Sequence, residues 1–237
     1  MIPLSDPDLL VRKTAYVNIT LIFVCSIIFI YEFILGDVEK YVLFYQFGLL
    51  PLEISSGNSL QILDTGIVSY PIQTPISDFI TFITSMFLHG DFIHFGSNMV
   101  YLWVFGDNIE DRFGHVGYLI FYFSAGIFAS ISHVIADLTS QTPTVGASGA
   151  IAGVLGAYFI FYPNSRINTL IFTFFITVIQ VKALWLLGFW MVLQFFSTAM
   201  GNSGVAYWAH IGGFIFGVLV AYTIKTFQIR FKSKLFR

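Results

Sequence analysis

Apolar residues come in runs long enough to cross a hydrocarbon layer, separated by short polar breaks. The first covers residues 15–35 and is interrupted only by Asn18 and Glu32; the others cover 92–105, 117–136, 145–162, 167–179, 183–199 and 205–224. A bilayer core of about 30 Å needs about 20 apolar residues at 1.5 Å each, so every run is a candidate crossing, seven if all are counted. The run 15–35 follows Arg12 and Lys13 and precedes Gly36-Asp37-Val38, with no small-residue cleavage pattern, which marks a retained anchor.

Composition agrees with the runs. Thirteen acidic and 11 basic residues among 237, with 57% hydrophobic residues and 28 Phe, fall far below the roughly 25% charge of a soluble surface. Mean hydropathy is +0.81. This excludes disorder, a disulfide scaffold and a basic nucleic-acid binder; the single Cys25 excludes an intramolecular disulfide and a cysteine metal cluster. No cofactor or metal is expected.

The placement of positive charge reduces the count of crossings, because cytoplasmic loops collect Lys and Arg. With residues 167–179 omitted and the N-terminus inside, Arg12, Lys13, Arg112, Arg166, Lys182, Lys225, Arg230, Lys232, Lys234 and Arg237 fall inside and only Lys40 outside. Counting that segment as a crossing leaves four basic residues in and seven out. Its 13 residues also reach only about 20 Å. It therefore reads as an interfacial hairpin or a membrane-dipping cytoplasmic loop. The expected fold is an all-α bundle of six transmembrane helices, both termini cytoplasmic, forming one integral membrane domain over 1–237. Residues 36–91 are rich in turn formers (Pro51, Ser55-Ser56-Gly57-Asn58, Pro71, Pro75) yet half apolar, so they are expected to rest on the outer leaflet.

Polar groups inside spans are costly, and each is a functional candidate by default. His94 and Asn98 stand at i and i+4 on one face of the second span, leaning toward its outer end; the competing reading is a polar pair that glues helices together. His89, near the interface, reads equally as a hydrated histidine. Residues 148–162 make only about 22 Å of helix, which sets Ser148 several Å below the outer surface. A helix N-terminus there favours an alkoxide or nearby oxyanion, although Ser is also an ordinary N-cap and packing residue. Gly149, Gly153 and Ala157 repeat at four-residue spacing, as do Gly213, Gly217 and Ala221. Such stripes let two backbones approach closely. Extended one step back, the second stripe reaches Ala209, so His210 sits beside the contact face at a depth like that of Ser148. That is the placement a Ser–His dyad needs. Val218, nearly opposite Gly213, is expected to face lipid.

Over about residues 87–221 the chain resembles the rhomboid family of intramembrane serine proteases. The resemblance rests on His89-x4-His94-x3-Asn98, Gly106-x3-Glu110-x-Arg112-x-Gly114, Gly146-Ala147-Ser148-Gly149 and Ala209-His210-Ile211-Gly212-Gly213-x3-Gly217, in the family's order. It implies a catalytic core with Ser148 as nucleophile, His210 as general base, and His94, Asn98 and the Ser148 backbone N–H as oxyanion donors. It also implies a structural Glu110 and Arg112 pair that ties the loop after the second helix. The implied partners are the bilayer and the transmembrane helices of other proteins, cut near the outer face; the expected location is a prokaryotic cell membrane, with the site opening away from the cytoplasm. Two features depart from the family's pattern: the first loop lacks a Trp-Arg pair, and Ala152 stands where many members carry a Tyr under the histidine ring, leaving Tyr207 and Trp208 as nearby candidates. The alternatives are an inactive relative that escorts membrane clients, although such relatives typically lose Ser or His, and a transporter, which would carry mid-membrane charge or inverted repeats. No HExxH helix or paired membrane aspartates point to a metallo- or aspartyl protease.

Overall fold

In the computed structural model, residues 1–235 are described except 10, 12, 65–67, 74, 173–175 and 200–204. Arg12 and Arg237, counted above among the basic residues, lie outside the described residues.

A short strand β1 (Ile2–Ser5) leads into α1 (Tyr16–Ile34). Three helices among the described residues are long and apolar enough to cross a membrane: α1, α6 (His115–Ala136) and the Tyr207–Gln228 part of α9 (Tyr207–Leu235). Two others, α7 (Ser148–Phe161) and α8 (Ala183–Ala199), are apolar but shorter, and α5 (Phe92–Phe113) has the length but ends in Asp107, Glu110, Asp111 and Arg112. Helix α7 sits at the centre. It packs most closely on α9 and also on α6, α5 and α8, and every residue from Gly149 to Tyr158 is buried. Small residues make this possible: a Cβ on Gly217 would meet the Gly153 carbonyl oxygen at 1.9 Å, and one on Gly156 the Phe214 carbonyl oxygen at 2.2 Å. The two glycine stripes thus face each other. Val218 does not face lipid as expected; it is half-buried against the core, its backbone near Gly156, and the next residue, Leu219, is the exposed one.

The segment that positive charge excluded as a crossing is a β-hairpin. Strand β4 (Arg166–Phe172) pairs antiparallel with β5 (Ile176–Lys182), and β1 adds to the other side of β4. Tyr158 near the end of α7 donates to Asp6 at 2.9 Å, and the Arg166 N–H donates to Asp8 at 2.8 Å, which fixes the start of the chain beneath α7.

Residues 36–91 fold into α2 (Asp37–Phe47), α3 (Pro51–Ser56), a small hairpin of β2 (Ile62–Asp64) and β3 (Ser69–Pro71), and a run of short helical turns, α4 (Asp78–Phe87). The segment is tied to the chain just before Ser148: Leu49 and Thr144 exchange backbone hydrogen bonds, and the Gly146 N–H donates to Ser85 O.

Glu110 and Arg112 do not pair with each other. The buried Glu110 carboxylate accepts from the backbone N–H groups of Val17 (3.0 Å) and Asn18 (2.7 Å), capping α1, whose own N-cap Ala15 offers no side-chain acceptor, and it also bonds His115. Arg112 donates to Gln228 and lies over the Phe161 ring. The expected pair that ties the loop is therefore not formed: Glu110 links α5 to α1, and Arg112 links it to α9. Charge that a helix terminus would otherwise leave unsatisfied explains the burial of Glu110.

Candidate active site

Ser148 is the first residue of α7, where the chain turns through Gly146 at φ +124° and Ala147. Only glycine adopts that φ without strain. His210 lies in the first turn of α9, and the glycine packing of the two helices brings them within bonding reach: His210 Nε2 is 2.8 Å from Ser148 Oγ. Both side chains are half-buried.

His94 and Asn98 come from α5, whose start is capped by Asp91 accepting from the N–H groups of Ile93 and His94. Both point at the Gly146 turn. A Cβ on Gly146 would fall 2.6 Å from His94 Nε2 and 3.7 Å from Asn98 Nδ2. Asn98 is buried, and its Nδ2 has no hydrogen-bond partner. A buried amide N–H without an acceptor costs about 1–3 kcal/mol, and no protein group nearby accepts from this one.

The four expected site residues therefore converge on one turn. Of the two readings open for His89, the hydrated histidine is not the one found. It is fully buried; its N–H donates to the Glu32 carboxylate of α1 (3.1 and 3.2 Å), its Nδ1 lies 3.2 Å from Phe87 O, and its ring stands edge-on to His94 at 5.4 Å between centroids. It buttresses His94.

The ring of His210 is held by residues that sequence reasoning missed. Its Nδ1 is 2.8 Å from Gln194 Oε1, and Trp190, one turn earlier on α8, lies with its ring 5.7 Å away and tilted by 36°. Tyr207 meets it edge-on at 6.3 Å, as its place in the sequence allows; Trp208 is exposed. The available signal was Gln194 itself, a carboxamide inside an otherwise apolar run.

A serine hydroxyl bonded to an imidazole, beside an unpaired amide donor and a helix N-terminus, is suited to attack on a carbonyl and stabilisation of the resulting oxyanion. Comparison with known proteins points the same way. A family model described as Rhomboid domain matches residues 77–227. The chain is 33% identical over 156 residues to Rhomboid protein 1, mitochondrial, of Saccharomyces cerevisiae, covering 61% of this chain and 42% of that protein. It is 35% identical over 141 residues to Rhomboid protease GluP of Bacillus subtilis, covering 59% and 25%. With Presenilin-associated rhomboid-like protein A, mitochondrial, of Danio rerio it shares 30% identity over 138 residues, covering 57% and 35%. In each case the match spans less than half of the relative's own length. The mitochondrial names do not fit the expectation of a prokaryotic cell membrane. The chain is a membrane protein, and it belongs to the rhomboid family.

Proposed function

We propose that this protein is an intramembrane serine endopeptidase that hydrolyses peptide bonds in or beside transmembrane helices of other membrane proteins. The observation that carries the reading is the 2.8 Å contact between Ser148 Oγ and His210 Nε2, within the reach a general base requires. In this mechanism His210 takes the hydroxyl proton as Oγ attacks the scissile carbonyl carbon. The oxyanion that forms accepts hydrogen bonds from Asn98, His94 and the Ser148 N–H. The intermediate collapses, His210 gives its proton to the leaving amine, and an acyl-serine ester remains. A water molecule, deprotonated by His210, then attacks the ester and restores Ser148. The unpaired Nδ2 of Asn98 supports the donor assignment, since a donor poised where charge develops needs no rearrangement during the reaction.

The proposed membrane arrangement has six crossings, α1, α5, α6, α7, α8 and α9, in one integral membrane domain. Both chain ends and the β4–β5 hairpin lie on the cytoplasmic side, with the site opening to the other. Residues 36–91 rest on the outer leaflet, a reading supported by the exposure of Tyr41, Ile62, Phe79 and Ile80.

The test is covalent labelling of the purified chain by a fluorophosphonate probe, together with cleavage of a type I transmembrane substrate, in wild type, Ser148→Ala and His210→Ala. Wild type is expected to react at Ser148 and to cleave; both variants are expected to do neither while remaining folded. Activity retained in either variant overturns the assignment. An inert wild type that still binds membrane clients favours the inactive-relative reading.

A further inference from the structure

An imidazole can accept the Ser148 proton at Nε2 only if its own proton sits on Nδ1, and in water the neutral ring has no such constraint. We infer that Gln194 is a positioning residue that holds His210 in this tautomer, so that helix α8 supplies the third member of a Ser148–His210–Gln194 array. This inference rests on the hydrolase reading above.

The argument begins with the orientation of the carboxamide. Gln194 Nε2 donates to the Trp190 carbonyl oxygen at 3.2 Å, and Oε1 lies 2.8 Å from His210 Nδ1. Reversing the amide would set Oε1 against the Trp190 carbonyl, two acceptors facing each other, and lose a hydrogen bond in a buried place. Oε1 therefore faces the ring, and because it can only accept, Nδ1 must donate. That leaves the Nε2 lone pair directed at Ser148 Oγ, 2.8 Å away.

Burial makes the arrangement stiff. Gln194 is 8% exposed, and a buried carboxamide is costly unless both of its ends are bonded; here both are. Trp190, on the same face of α8, lies against the imidazole ring, whereas Ala152 of α7 offers no ring. The base is thus held through its edge by Gln194 and across its face by Trp190, both from one helix. A neutral partner also differs from a carboxylate in a measurable way: it selects the tautomer without adding a charge that favours the imidazolium.

The experiment uses the full chain in detergent micelles. Nitrogen-15 spectra of histidine-labelled wild type, with His210 assigned by its loss in His210→Ala, are expected to show Nδ1 protonated and Nε2 bare at neutral pH. Gln194→Leu is expected to slow fluorophosphonate labelling and kcat by about ten- to a hundredfold, less than the ~10⁴ lost with a triad's carboxylate, with KM little changed. Gln194→Glu is expected to restore activity and move the acid limb of the pH profile to higher pH. Protonation of the wild-type ring on Nε2 overturns the inference, as does a Gln194→Leu protein that labels like wild type across the pH range. Should Gln194→Leu fail to fold, the wild-type tautomer and the Gln194→Glu profile still decide. Failure of the hydrolase reading looks different: wild type is unreactive toward the probe whatever tautomer His210 shows.

Discussion

A Cβ placed on Gly213 would lie 2.1 Å from the carbonyl oxygen of Gly149. The residue one turn below His210 thus touches the backbone immediately after Ser148, and the distance between His210 and Ser148 is set by two absent side chains. Gly213→Val must push α9 away from α7. Since a misplacement of about 1 Å can cost about a hundredfold in rate, this variant is expected to lose most activity with Ser148 and His210 both present. Leu219→Ala, at an exposed position on the same helix, is the control and keeps its activity. The readout is cleavage by folded, monodisperse protein; equal rates would mean that the contact does not govern the dyad.

Asn98→Ala and His94→Ala are expected to lower kcat by roughly ten- to a thousandfold, the range for loss of one oxyanion donor, with little change in melting temperature. Removing Asn98 also removes a buried unpaired amide, so its stability cost is small or even reversed. A collapse in stability with unchanged activity per folded molecule would assign both residues to packing.

Glu110→Ala deletes the acceptor of two N–H groups at the start of α1. Charge-assisted bonds of this kind carry more than neutral ones, and the variant is expected to lose about 2–4 kcal/mol of stability while the activity of the molecules that remain folded is largely preserved. Thermal unfolding in micelles, followed with labelling of Ser148, separates the two effects. A melting temperature equal to that of wild type would show that α1 is capped by other means.

Asp6 gives a pH dependence whose sign can be worked out. Burial raises its carboxyl from 3.8 to about 6, against the lowering effect of hydrogen bonds from Tyr158 and Asn108. The folded state therefore binds the proton more tightly than the unfolded one. The resulting stability is fully present below about pH 4 and is lost as pH rises through about 6. Allowing for solvent screening of a partly exposed group, about 1–2 kcal/mol is at stake. Asp6→Asn is expected to match wild type at acid pH and to exceed it in stability at pH 7. Parallel stability curves for the two proteins across pH 4–7 would contradict this.

Much of this architecture was legible in the sequence, for reasons particular to each element. The hairpin at 167–179 was excluded as a crossing because it is short and would have put Lys182 and the basic C-terminal residues on the side away from Arg12, Lys13, Arg112 and Arg166. Ser148 and His210 could be brought together because two glycine stripes define which helix faces meet. The environment of each ring was not legible. His89 could be read as hydrated from its position, whereas it is buried, with its backbone N–H on the carboxylate of Glu32, 57 residues earlier. Gln194 is 16 residues from His210, and nothing in linear spacing says which face of α8 turns inward. The Glu110 and Arg112 pair was implied by the resemblance, but each finds its partner in a different distant helix. In helices as apolar as α8 and α9, periodicity reports neither which face is buried nor what lies across from it.

The β1 strand and the two aspartates that follow it make residues 2–8 a clasp on the C-terminal end of α7, the end opposite Ser148. Ile2 and Pro3 pair with β4, Asp6 reaches Tyr158 on α7, and Asp8 bonds the backbone of Arg166. The practical consequence concerns handling of the protein. A purification strategy that keeps β1 from pairing, or a protease that nicks the chain near Asp8, would cost α7 the Asp6–Tyr158 contact at the end opposite Ser148, while its packing on α9, α6, α5 and α8 remains.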